Sequence, residues 1–274
     1  MIDTAGNVNV LCTVGAVRGV TQLSGTVFIV CGDSSSILRF DATTHQRLTD
    51  IDVKGLRLPL DLAACEQTSQ LYAADSQCVW RVSTDGTDIR RWLPKSPSGT
   101  FRPSRLSVTS DRLLVTSTRI HQLILFDADG DELRRVRLAD DLEPQHAAES
   151  PSGTFIVSLK ALDRLRLSHG QVAEVSTAGE VLRQFSGSRL TPLGFTSRVA
   201  VDSRGNVFLT EYYNSRILLL DSGLSLRRVV IDKHQLNYKP PRRLCYCEQS
   251  GQLMFALHND DVAVFDVLRP VRSS

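Results

Sequence analysis

No stretch of the 274 residues approaches the ~18 consecutive apolar side chains that a membrane-spanning helix needs. The first residues, MIDTAGNVNVLCTVG, lack a basic start followed by an apolar run, so no secretory leader is expected there. An excess of one charge is missing as well. Lys and Arg total 32 against 30 Asp and Glu, for a formal net charge of +2 and a pI of about 8.3. A balance this mild does not by itself point to nucleic acid. The six cysteines, Cys12, Cys31, Cys65, Cys78, Cys245 and Cys247, form no CxxC…CxxC metal pattern. They read as buried, reduced thiols of a cytoplasmic protein. No G-x-S-x-G elbow, Gly-rich phosphate loop or HExxH pair occurs. The 3.6-residue periodicity of amphipathic helices is absent throughout, which leaves strands to build the core.

What is present is a repeat. At 42% hydrophobic and 23% charged, the chain has an ordinary globular composition with ample core. Its apolar residues fall in short runs separated by turn signals. Val199 to Gly223, VAVDSRGNVFLTEYYNSRILLLDSG, contains three such runs. The last of them, ILLLD, has counterparts along the whole chain: ILRFD ending at Asp41, VWRVS at Ser83, LILFD at Asp127, VAEVS at Ser176, ILLLD at Asp221 and VAVFD at Asp266. Consecutive copies are 42, 44, 49, 45 and 45 residues apart. Each is preceded by a small turn and another apolar run, and most are followed by a turn and a further strand.

Four short strands every ~40–50 residues predict a six-bladed β-propeller of four-stranded antiparallel blades. The blades are expected at about 17–53, 58–93, 103–138, 145–186, 196–231 and 241–268. The sixth copy stops after three strands. Residues 7–14, NVNVLCTV, are expected to supply its outer strand and close the ring.

The fifth copy resembles the NHL repeat. It has Val201-Asp202, a Gly205-Asn206 turn, the strand Val207–Leu209, Glu211 where that pattern has Asp, then Asn214-Ser215-Arg216 and a strand ending in Asp221. The other five copies keep the layout without the letters. The chain is similar on this basis to the C-terminal propeller of tripartite-motif NHL proteins, but with no RING or B-box. The resemblance implies a partner-binding propeller that uses the face carrying its strand 2–3 and inter-blade loops, with proteins or RNA as ligands.

The loops on that face, the top, hold 16 Lys/Arg and 10 Asp/Glu in 88 positions, against 16 and 20 in the other 186. Aligning the inner strands brings Arg18, Asp61, Arg105, His146, Arg198 and Arg243 to equivalent positions. These are expected to line the upper mouth of the channel, where arginine forks suit carboxylate or phosphate. Nearby loops add Arg119, Lys160, Arg164, Tyr212 and Tyr213 as candidate partner contacts. Arg216 is expected to tie its own turn to the next blade.

The sequence therefore reads as a non-catalytic recognition module that binds a protein partner, as the substrate-recruiting part of a ubiquitin-ligase-like assembly. RNA binding through the basic face is the alternative, and a propeller hydrolase or lyase comes after it. No membrane or DNA partner, cofactor or metal is expected. A histidine site built from His121, His146 and His258 is the one metal arrangement the loops offer.

Overall fold

The computed structural model describes residues 8–11, 15–92, 102–162, 168–187, 193–258 and 260–267. It contains six four-stranded antiparallel sheets and, among the described residues, one 3-10 turn, Thr118–Ile120. Blade 1 comprises β2 (Val17–Leu23), β3 (Thr26–Cys31), β4 (Ser36–Asp41) and β5 (Ile51–Asp52). Blade 2 comprises β6 (Asp61–Cys65), β7 (Gln70–Ala74), β8 (Val79–Ser83) and β9 (Ile89–Trp92). Blade 3 runs through β10 (Arg105–Thr109), β11 (Arg112–Ser117), β12 (Gln122–Phe126) and β13 (Glu132–Arg137). Blade 4 has β14 (Leu142–Glu149), β15 (Phe155–Leu162), β16 (Ser168–Val175) and β17 (Val181–Phe185). Blade 5 has β18 (Thr196–Val201), β19 (Val207–Glu211), β20 (Arg216–Leu220) and β21 (Leu226–Ile231). Blade 6 takes β22 (Pro241–Cys247), β23 (Gln252–Leu257) and β24 (Val262–Asp266), and its outer strand is β1 (Val8–Leu11), paired from Val8↔Phe265 to Leu11↔Val262.

Burial explains why the middle strands read as unbroken apolar runs. Each blade is sandwiched between two others, so both faces of its inner strands are covered. Every residue of β19 is buried, whereas the outer strands β17 and β21 are mostly exposed. Six separate apolar clusters fill the seams. One, for example, packs Trp92 of blade 2 against Phe126 of blade 3, ring centroids 5.7 Å apart, with Tyr72 of blade 2 5.5 Å behind Trp92. The seam between blades 1 and 2 is closest at Gly19, where an added Cβ would stand 2.4 Å from the Leu62 backbone nitrogen. Only glycine admits that approach.

Four of the six residues that end the ILLLD-like runs organise the turn that follows. Asp41, Asp127 and Asp221 each accept two backbone N–H bonds on one side-chain oxygen, from Thr43 and Thr44, from Asp129 and Asp131, and from Gly223 and Ser225. Ser176 does the same for Ala178 and Glu180. Asp and Ser recur at this place because short oxygen-bearing side chains organise such turns.

Blade 4 departs from the expected layout. Its inner strand begins at Leu142, and β15 and β16 extend as paired strands to Leu162↔Ser168. Residues 142–146, 160–162 and 168–171, expected in loops, are strand.

Candidate functional site

The inner strands begin at the top of the channel, and the aligned residues do converge there. The arrangement differs from an open rim of cations, because most of these side chains are inside. Arg198 is 3% exposed and Asp61 1%. They form a two-pronged ion pair, with Arg198 Nη1 and Nη2 each 2.6 Å from an Asp61 oxygen. The pair joins blade 5 to blade 2, which stand opposite each other in a ring of six. Asp61 also accepts the backbone N–H of Leu62 at 3.0 Å and of Leu106 at 2.8 Å. Burial opposes its ionisation, but the charge and hydrogen bonds of Arg198, with Arg105 and Arg243 behind, hold the carboxyl below the ordinary carboxylate range.

The other members are committed in different ways. Arg105 donates to the carbonyls of Ser104 at 2.8 Å and Leu60 at 3.3 Å. Burial, followed by repulsion from Arg198, brings its pKa down to about 10. His146 sits between two blades: its Nδ1 accepts the N–H of Val199 at 3.4 Å, and its Nε2 donates to the carbonyl of Leu106 at 3.2 Å. Burial, then the Arg198 charge, pushes its pKa down to about 3, so the ring is neutral at pH 7. With both nitrogens committed to backbone, His146 does not join His121 and His258 in a metal site. Among the described residues no three His, Cys, Asp or Glu side chains are grouped to hold a metal. Arg18 alone of the six is exposed, lying over Gly32. Arg243 is buried, and its Nε has no hydrogen-bond partner.

A second cluster lies on the loops of blades 5 and 6. Glu211, fully buried at the end of β19, accepts hydrogen bonds from the Gly194 backbone N–H at 2.8 Å, from Asn214 Nδ2 and from Arg216 Nε. The resembling letters of the fifth copy thus fasten the top loop, and Arg216 bonds Glu211 within blade 5 rather than reaching the next blade as expected. Blade 2 shows the same device. Asp75 accepts Gln77 N, Cys78 N and Trp80 Nε1 at 2.7–2.9 Å.

That fastening presents the tyrosines. Tyr212 donates to or accepts from His258 Nδ1 at 2.9 Å, and the guanidinium of Arg242 lies 5.7 Å from its ring centre. Phe195 packs against both Tyr212 and Tyr213. Tyr213 itself is 70% exposed. Tyr238, which sequence reasoning did not single out, is 61% exposed; its ring lies 5.8 Å from Lys233 Nζ, and its hydroxyl meets His234 Nδ1 at 3.1 Å. Ser215 Oγ donates to the Tyr238 carbonyl at 3.3 Å, which joins the two loops. The segment NYKPPRR held the signal, since its tyrosine follows a turn and adjoins three cations, but periodicity does not reach an inter-blade loop. Arg119 is exposed on the 3-10 turn, away from this cluster on blade 3. Lys160 is on β15, 3.8 Å from Glu143. Arg164 lies outside the described residues.

Neither a family model nor a curated protein sequence matches the chain. Among solved structures, a catalytically inactive virginiamycin B lyase from Staphylococcus aureus with quinupristin is similar at 15% identity and a TM-score of 0.65, over 92% of this chain and 80% of that one. The WD40 β-propeller domain of Doa1 is similar at 12% identity and a TM-score of 0.64, over 97% and 98%. U3-55K is similar at 12% identity and a TM-score of 0.65, over 95% and 98%. Likeness at these identities shows the propeller fold alone.

Proposed function

We propose that this chain is a non-catalytic recognition module whose top face, over blades 5 and 6, docks a protein partner of acidic character. The observation that carries the reading is the pair Tyr213 and Tyr238, 70% and 61% exposed on loops that buried hydrogen bonds hold in place. Exposed tyrosines on a rigid base are efficient anchors, because they bring large contact area with few rotatable bonds. Lys233 and Lys239 on the loop before β22, with Arg242 on β22 itself, supply positive charge around them. The NHL-like lettering of Val199–Gly223 supports a place as the substrate-recruiting part of a ubiquitin-ligase-like assembly. Binding partners across the top face is also a use open to the propeller fold.

The thiols suit a role without covalent chemistry. Burial raises the pKa of Cys31 and of Cys245 to about 11, which keeps both protonated at neutral pH.

RNA is the second reading, favoured by Arg242 over Tyr212 and Lys233 over Tyr238, since stacked bases and phosphates use the same side chains. Quantitative affinity capture with the wild-type chain and a Tyr213→Ala/Tyr238→Ala variant, beside binding to a random RNA pool at two salt concentrations, separates the readings. Protein docking expects a captured set depleted about tenfold or more from the variant, with only weak RNA binding. An unchanged captured set overturns it. Micromolar RNA binding that falls steeply with salt replaces it with the second reading.

A further inference from the structure

The inner strands enclose a cavity of about 470 Å3, within the usual ~300–1,000 Å3 of small-molecule sites. It runs from the exposed Glu66, Gln67, Glu248 and Gln249 at one end to the Asp61–Arg198 pair and Arg243 at the other. Three donor atoms on its wall are buried with no partner: Arg243 Nε, Arg198 Nε and Ser107 Oγ. Arg243 is the least satisfied of these residues. It is 9% exposed, and among the described residues its buried Nε makes no hydrogen bond.

The one anion acting on it, Asp61, is shared with Arg198 and Arg105. Both oxygens of Asp61 are taken up by Arg198 and by the N–H groups of Leu62 and Leu106. His146 is neutral and bonded to backbone through both nitrogens. The remaining charged neighbours, Arg18, Arg105 and Arg198, are all cations. Burial, then Arg198 and Arg105, accordingly pulls the Arg243 pKa well below its ordinary value. One carboxylate against this many cations leaves the buried guanidinium under-compensated, and its planar fork of donors fits an oxyanion.

We propose that a small oxyanion of the phosphate or carboxylate class binds in the channel against Arg243, with Ser107 Oγ and Arg198 Nε as further donors. The opposite end of the cavity limits the size of the ligand. Its carboxylates are Glu66, bonded by Gln249 at 2.6 Å, Glu248, bonded by the Ser203 N–H at 2.9 Å, and Glu149, whose Oε1 pairs with Arg112 at 2.9 Å while its buried Oε2 has no partner among the described residues. They form an acidic entrance that repels long polyanions. The site is separate from the tyrosine surface and does not depend on it.

Thermal unfolding and calorimetric titration of the full chain, with inorganic phosphate and with succinate against chloride at matched ionic strength, test the proposal. At about 10 mM ligand, one of the two oxyanions is expected to raise the melting temperature by several degrees. The one that responds identifies the class. Arg243→Met should lose the response by tenfold or more in affinity, while melting in chloride no lower than wild type because a buried charge is gone. Ser107→Ala, a change too small to prevent folding, should weaken binding several-fold. Arg242→Met, on the top face, should leave the response intact. The proposal is overturned if neither oxyanion stabilises the wild type, if Arg243→Met responds equally, or if Ser107→Ala binds as wild type.

Discussion

Asp61 and Arg198 form an ion pair that is almost wholly out of water, and such pairs behave asymmetrically. Removing one partner strands a buried charge, so Asp61→Ala or Arg198→Met alone should destabilise by about 3–5 kcal/mol. Replacing both, Asp61→Leu with Arg198→Met, should restore most of that loss. Urea unfolding of the three variants checks it, and additive losses in the double variant would argue against a direct coupling. His146 makes the stability depend on acid. Its folded pKa of about 3 lies below the ~6.5 of an unfolded histidine. The unfolded chain therefore takes up the proton first. The stabilisation is complete above about pH 6.5 and is lost progressively as the pH falls toward 3, by up to roughly tenfold in the folding equilibrium per pH unit. His146→Gln should flatten that part of the profile between pH 6 and 4, as denaturant midpoints would show. The convergence of these side chains was legible, since strand alignment alone brings Arg18, Asp61, Arg105, His146, Arg198 and Arg243 to one level. Their pairing was not. A sequence read blade by blade reveals neighbours, and Asp61 meets Arg198 across the axis, three blades away.

At the scale of the element, the strand Val8–Leu11 completes a sheet whose other three strands lie some 250 residues further along the chain. Leu11 is 3% exposed and joins the cluster between blades 6 and 1. Deleting residues 1–14 leaves the β24 edge unpaired and that cluster open. The loss should be several kcal/mol, with a lower melting temperature by calorimetry. An unchanged melting temperature would show that the closure contributes little. The missing fourth strand of the last copy made this pairing readable, as did the Asp or Ser that ends each third strand. Blade 4 was less readable, because its long β15–β16 hairpin continues into LKAL and SHGQ, where polar letters resemble a loop. The strand layout of the fifth copy was legible, and the letters between its second and third strands have a local task. Its Glu211, Asn214 and Arg216 form one hydrogen-bonded knot, and that knot requires those letters at that spacing.

For the whole molecule, the two ends of the channel differ in character. The top holds the arginine layer and the tyrosine loops, and the opposite end holds Glu66, Glu149 and Glu248. The charge split read from the loops has this physical basis, although part of the positive charge lies inside the channel and faces no partner. A propeller whose blades touched only their neighbours could open at its weakest seam while the rest stayed folded. The Asp61–Arg198 pair is a chord across the circle, tying positions 137 residues apart. Any seam that parts must also strain the far side. The inner strand of blade 5 is thereby held from within. Both tryptophans, Trp80 and Trp92, belong to blade 2, at one end of that chord. Their fluorescence reports on that blade and on its seam with blade 3, where Trp92 packs against Phe126.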